Sequence, residues 1–150
     1  MRKKDRQVTD PIKIDEIIEK CDCCRIALID GDKPYIVPLN FAYEHKGDKQ
    51  FFYFHGAKVG RKNKYAGFEL DTNHGLKIEE KLCNHSFQYQ SVIGTGEISL
   101  VEDTAEKIRI FELIMNHYRG EGDWKFDEKI VNATAVIKLE VEEMSCKQNN

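Results

Sequence analysis

Tyr35, Val37, Leu39, Phe41 and Tyr43 alternate with Ile36, Pro38, Asn40 and Ala42. A period of two belongs to a β-strand, whose successive side chains point to opposite faces. The same period returns at Ala133, Ala135, Ile137, Leu139 and Val141, near the other end of the chain. Strand patterns also run over Cys24 to Asp30, Gln50 to His55, Phe68 to Thr72 and the long stretch Ser86 to Val101. Each such strand has an apolar face to bury, and the economical solution is one sheet around one core.

The connections suggest how the strands pair. Asp30-Gly31-Asp32-Lys33 and Lys46-Gly47-Asp48-Lys49 are turns of hairpin length, each with a glycine available for positive φ. Hairpins pair neighbours antiparallel. Pro38 donates no ladder hydrogen bond, so it marks an edge or a bulge. Gly94 and Gly96 inside a long strand predict a sharp bend.

Two helices interrupt the strands. Asp10-Pro11 supplies an N-cap acceptor and a first-turn proline, and Ile14, Ile17, Ile18 and Cys21 follow at helical spacing. Asp103 and Glu106 form a second cap. Ile108, Phe111, Ile114, Met115 and Tyr118 give that helix a stripe, and Gly120 stops it. Glu121 to Val131 reads as a mobile connection. The expectation is a mainly β single domain over residues 1–150, with flanking helices. Six or seven mostly antiparallel strands would form a small closed or partly closed barrel. Residues 1–8 and 147–150 are expected to be flexible tails.

Composition removes several functions. Net charge is -3, so there is no basic field for nucleic acid. No apolar run reaches the roughly 18 residues a membrane span needs, and no apolar segment follows the basic start, as a secretory signal would require. Five cysteines, an odd number, point to free thiols and a reducing cytoplasm. Cys21, Cys23 and Cys24 lack a compatible second pair for zinc, so no metal site is expected.

The stretch Phe51 to Asp71 carries the candidate chemistry. Phe51, Tyr53 and His55 share one strand face. Gly56 and Ala57 remove side-chain bulk where the chain leaves the sheet, which lets something flat approach. Gly60-Arg61-Lys62 then opens what reads as a short helix. Free amides at a helix start, an Arg fork and a Lys point charge together suit a phosphate dianion. The same triplet also reads as a solvated corner, and His55 as a hydrogen-bonded strand histidine.

A wider set of residues resembles a known family. It runs from Asp5-Arg6 through Tyr35-Ile36-Val37-Pro38-Leu39-Asn40-Phe41, Tyr53-Phe54-His55-Gly56-Ala57 and Gly60-Arg61-Lys62 to Phe68-Glu69-Leu70-Asp71. It ends with Cys83, Ser86, Tyr89 and Ser91-Val92-Ile93-Gly94. In order and spacing this is similar to the nitroimidazole-resistance (Nim) flavoproteins, within the FMN-binding split barrels related to pyridoxamine 5′-phosphate oxidase. The resemblance implies a six-stranded antiparallel split β-barrel forming a homodimer, with FMN in the groove between subunits. It implies that Arg61 and Lys62, after Gly56, Ala57 and Gly60, hold the flavin phosphate. Pro38, Leu39 and Asn40 would pass beside the ring, and Tyr89, Ser91 and Val92 would add contacts from a neighbouring strand. His55 would stand at the reactive centre as the catalytic residue. Two positions depart from the pattern: only Asn63 to Gly67 separate Lys62 from Phe68, and Cys146 stands where the family has glycine.

The function implied is an FMN-dependent oxidoreductase that takes electrons from NAD(P)H and reduces nitro-aromatic compounds such as 5-nitroimidazoles. One alternative is a haem-binding protein of the same fold with His55 as axial ligand. Another is a dimeric ligand-binding module without catalysis.

Overall fold

The two edges of the sheet are consecutive in the chain, and that fact gives the molecule its shape. The structure, a computed structural model, describes residues 4–56 and 63–149. After a short 3-10 turn the elements are β1 (Gln7–Val8), α1 (Pro11–Glu19), β2 (Cys24–Asp30), β3 (Lys33–Leu39), β4 (Phe41–Lys46) and β5 (Lys49–Gly56). Then come β6 (Tyr65–Lys77), β7 (Ser86–Val101), α2 (Thr104–Arg119), α3 (Glu128–Ala133) and β8 (Ala135–Asn149). The sheet order is β3-β2-β6-β7-β8-β5-β4, with β1 added on β8, and every pair is antiparallel. Strands β3 and β4 lie at opposite ends of that order, yet only Asn40 separates them. The sheet therefore curls until its ends meet at one corner without a ladder between them, which is a split β-barrel.

The mainly β antiparallel class agrees with the sequence expectation, but the described residues form eight strands rather than six or seven. The alternating run Tyr35 to Tyr43 breaks at Asn40, so one apparent strand is two. Pro38 lies on the edge strand β3, where its missing N–H costs no ladder bond. Parts of the ends expected as tails are tied together: Gln7 pairs with Lys147 and Val8 with Cys146. Cys146 is 1% exposed and its thiol packs in the core, a place that glycine would leave empty.

The barrel interior is apolar. Phe52 is its hub, with Phe68, Tyr43 and Phe41 rings at 4.8, 5.0 and 5.8 Å. Ile26, Leu70, Val92 and Leu139 complete this core, and α1 adds Ile17, Ile18 and Cys21. Burying side chains of this size stabilises by about 1.5–3 kcal/mol each. Strand β7 passes close over its neighbours. A Cβ on Gly94 would run into the Phe68 ring and the Glu143 carbonyl, and one on Gly96 would strike Glu140 and Leu139. The expected bend is there, as a register shift between Thr95 and Gly96 against β8.

Helix α2 covers the outer face of β4, β5 and β8, where Ile110 and Ile114 pack on Ala42, Tyr53 and Val136. Its N-cap is as expected, with Asp103 accepting from the Glu106 amide at 2.8 Å. The buried face is rotated from the expected stripe. Lys107, Ile110 and Ile114 are inside, while Ile108 is only half-buried. Lys107 can be buried because its ammonium donates to the Thr134 carbonyl at 2.9 Å. The connection expected to be mobile contains α3, capped by Asp127. No helix among the described residues is long and apolar enough to cross a membrane.

Candidate functional site

The corner at Asn40 gathers several of the residues singled out from sequence. Phe41 pairs with Phe54, so the register carried one residue further sets Asn40 level with His55. Leu39 pairs with Cys24 on the other side of the corner and packs against the core. Strand β5 ends at Gly56, opposite Ala135 of β8. Among the described residues nothing stands within 4 Å of a Cβ built on Gly56, so the backbone is open to approach there. Ala57, Gly60, Arg61 and Lys62 lie outside the described residues. The helix expected to run on from Gly60 has no room beyond Lys64, because Tyr65 already belongs to β6.

His55 is half-buried and shares its outward face with Phe51 and Tyr53, as alternation requires. Its ring lies 5.6 Å from that of Phe111 on α2, tilted by 53°. Phe111 in turn meets Phe126 at 5.7 Å. Phe111 had been placed in a helix stripe without a link to His55; nothing in sequence separation would have joined the two.

The corner is braced from α2. The Tyr118 hydroxyl accepts from the Phe41 amide at 3.1 Å and donates to the Asp22 carbonyl at 2.9 Å. His117 is half-buried, with Nε2 2.8 Å from the Cys21 carbonyl and its ring 4.6 Å from Phe41. Nearer the N-terminus of α2, Arg109 forms paired hydrogen bonds with Glu44 at 2.8 and 3.0 Å and reaches Glu106 at 2.7 Å. Burial alone would raise the Glu44 carboxyl, but hydrogen bonds from Arg109, Tyr53 and Lys46 outweigh it and hold the group below the usual range. Burial pushes the Tyr53 phenol up to about 12.

The other candidates lie elsewhere in the same chain. Tyr89, Ser91 and Val92 sit in the first half of β7, and Tyr89 pairs with Asn149. The level of His55 is Val136, which pairs with Val101 at the opposite end of β7. Positions 89 and 101 differ by 12, roughly 40 Å of extended strand at about 3.3 Å per residue. Along that route Tyr89 is far from His55, whereas through β2 and β6 Pro38 is level with Ile93 (Pro38–Arg25–Glu69–Ile93), so the β3 arm of the corner shares the level of Ser91 and Val92 within one chain. Val92 is wholly buried in the core, so its side chain meets no surface ligand. Ser91, opposite Asp71 and Lys147, takes the other face of the strand. Pro38, exposed and opposite Arg25, looks out on that same outer face. Among the described residues no helix packs on this face, and Ile29, Ile36 and Ile93 stand 55–64% exposed on it.

Tyr89 also lines a polar cavity of about 420 Å³ with Asn73, His74, Gln88 and Asn149. A bulge in β6 between Thr72 and Gly75 makes it, with Asn73 at φ 56°. The Asn73 amide donates to Gln90, which donates to Gln148 at 3.0 Å. His74 Nε2 lies 3.0 Å from Asp71, which Arg25 also bonds at 2.7 Å. The Asn-His-Gly run at residues 73–75 was the available sequence signal for the bulge.

The thiols divide by depth. Cys21, Cys24 and Cys146 are buried, and burial pushes Cys21 up to about 12 and Cys146 up to about 11. Cys83 is exposed and Cys23 half-buried. Among the described residues no three His, Cys, Asp or Glu side chains come together as a metal site.

A family model described as pyridoxamine 5′-phosphate oxidase matches residues 10–148 of the chain. No curated protein matches it. Among solved structures the chain is similar to a candidate 5-nitroimidazole antibiotic resistance protein from Bacteroides thetaiotaomicron. The TM-score is 0.81 and the identity 26%, over 95% of this chain and 86% of that one. It is similar in fold to the flavocytochrome Anf3 from Azotobacter vinelandii, with a TM-score of 0.83 and 23% identity over 100% of this chain and 72% of that one. The third likeness of fold is to an FAD and heme binding protein from Mycobacterium smegmatis, with a TM-score of 0.78 and 17% identity over 97% and 74%.

Proposed function

The chain belongs to the pyridoxamine 5′-phosphate oxidase family, and we propose that it is an FMN-dependent oxidoreductase acting on nitro-aromatic compounds such as 5-nitroimidazoles, with NAD(P)H as donor. The observation that carries this reading is the corner itself. Phe41, next to Asn40, pairs with Phe54, next to His55, and among the described residues nothing lies within 4 Å of a Cβ built on Gly56, where the strand ends. A planar heterocycle would fit such a place, against the Gly56 backbone, with the Asn40 amide and the His55 imidazole near its edge. Bound there, FMN would supply the hydride and electron chemistry. Arg61 and Lys62, which follow Gly56 closely in sequence, would hold its phosphate. His55 would hydrogen-bond the substrate or carry a proton to it, as a positioned imidazole can.

The second half of the site would come from a second copy. In one chain His55 is level with the end of β7 opposite to Tyr89, and the uncovered sheet face carries Pro38 and Ser91 beside exposed isoleucines. A homodimer packed through that face would bring the Tyr89 and Ser91 of one subunit to the corner of the other. Exposed apolar area of this kind commonly marks an association surface.

The likeness to the Bacteroides protein supports the nitro-aromatic substrate class. The test is anaerobic oxidation of NADH and NADPH by FMN-loaded protein, with and without a 5-nitroimidazole. Donor oxidation that depends on both flavin and nitro compound supports the proposal. A Soret band and no flavin uptake would replace it with haem binding at His55.

A further inference from the structure

We infer that Phe111, backed by Phe126, is a positioning residue for His55: it fixes the plane of the imidazole at the corner. This rests on the reading of that corner as the reactive site. His55 is the last large side chain of β5, and Gly56 after it offers no bulk. Among the described residues the imidazole has no hydrogen-bond partner, and its aromatic neighbour is Phe111 at 5.6 Å. A ring packed against an imidazole restricts its two side-chain torsions and so which nitrogen faces a ligand.

Phe111 is well placed for that task. It lies one turn from Lys107 on α2, and residues four apart share a helix face. Lys107 is 6% exposed and grips the end of α3, at the Asn132 carbonyl (3.4 Å) and the Thr134 carbonyl (2.9 Å). The next residue, Ala135, pairs with Gly56. One helix face therefore anchors both sides of the strand end that carries His55. Phe111 is half-buried and packs at the margin of the outer core of Ile110 and Ile114, with its ring 5.6 Å from that of His55.

Phe126 supports Phe111 from behind, with rings 5.7 Å apart at 38°. It belongs to a segment that folds back along α2. Trp124 Nε1 donates to Asn116 Oδ1 at 2.7 Å, and the Arg119 guanidinium lies 5.2 Å from the indole. Gly122 lies under that indole, where a Cβ would come within 2.8 Å of Trp124. The segment is therefore closed by specific contacts, and the series Phe126–Phe111–His55 links it to the corner.

The test uses full-length Phe111→Leu, Phe111→Tyr and Phe126→Leu. In flavin-free protein, the His55 ring resonances are assigned by their loss in His55→Gln. Phe111→Leu should move those resonances, Phe111→Tyr should restore them, and Phe126→Leu should move them by less. In FMN-loaded protein, Phe111→Leu should lower kcat about tenfold or more, because misplaced catalytic groups cost that much. Flavin affinity and KM should stay within about twofold, the range expected where only transition-state contacts are lost. Unmoved His55 resonances in Phe111→Leu would overturn the inference. So would an equal loss of flavin affinity in all three variants, which would make the rings structural. Wild-type protein that takes up no flavin would sink the proposed function instead, and the resonance measurement would still decide the role of Phe111.

Discussion

The Tyr118 hydroxyl accepts the backbone N–H of Phe41 at 3.1 Å, across the one point where the barrel is not closed by a ladder. Phe41 opens the edge strand β4, and its own side chain is wholly buried. The same hydroxyl donates to Asp22, so a single oxygen ties α2 to the corner and to the α1–β2 connection. Tyr118→Phe leaves the ring and removes both bonds. It should lower unfolding free energy by about 1–3 kcal/mol, read from urea midpoints at unchanged slope. An unchanged midpoint would mean that the corner is held by packing alone.

The Arg109 cluster predicts acid sensitivity. Glu44 and Glu106 are both held below the usual carboxylate range: Glu44 by hydrogen bonds that outweigh its burial, and Glu106 first by the hydrogen bond from Arg109. A lowered folded-state value favours the folded chain above the unfolded value, about 4.3, and that favour is lost as pH falls through the folded value. Wild-type stability should therefore decline below about pH 4.5. Arg109→Met should be destabilised at pH 7 and show a shallower acid decline. Parallel wild-type and variant curves down to pH 3 would contradict this.

Two glycines of the sheet should respond differently. Gly94 has no space for a methyl group beneath the Phe68 ring, whereas a Cβ on Gly67 meets Ala27 at 3.6 Å and the Gly94 carbonyl at 3.8 Å, both ordinary contacts. Gly94→Ala should cost about 1–3 kcal/mol through overpacking or prevent folding. Gly67→Ala should be close to neutral. Equal thermal midpoints for the two variants would show that β7 can shift at its bend.

Thiol reactivity should follow burial. In native protein a thiol reagent should label Cys83 first and Cys23 next. Cys21, Cys24 and Cys146 should resist until the chain unfolds, because burial keeps them protonated. Rapid labelling of Cys146 would show that the barrel opens readily at β8.

Much of this architecture was legible in the sequence because the signals were local. Asp10-Pro11 and Asp103 cap helices where they stand, and Gly31 and Gly47 take positive φ in the turns expected of them. What was hidden depends on distant partners. The break at Asn40 is silent, since alternation continues through it. The buried face of α2 was misread because Lys107, a polar residue, lies inside by virtue of carbonyls in the α3–β8 connection. Glu121 to Val131 read as a mobile connection, and neither α3 nor the contacts of Trp124 and Phe126 were expected from it. For the site, His55 was singled out from its place at a strand end and Asn40 from the family resemblance. Their level placement needs the β4–β5 register, and the 12-position gap to Tyr89 needs the β7–β8 ladder.

The central claim is that each flavin site joins the corner of one subunit to the β7 strand of another. It is tested by mixing two defective variants. Arg61→Ala with Lys62→Ala removes the phosphate cations at the corner, and Ser91→Trp blocks the outward face of β7. Each homodimer should fail to retain FMN. A purified heterodimer of the two should regain flavin at half occupancy, because one of its sites joins the intact corner of one chain to the intact strand of the other. A heterodimer that binds no flavin, or a Ser91→Trp homodimer that binds it fully, would contradict the account.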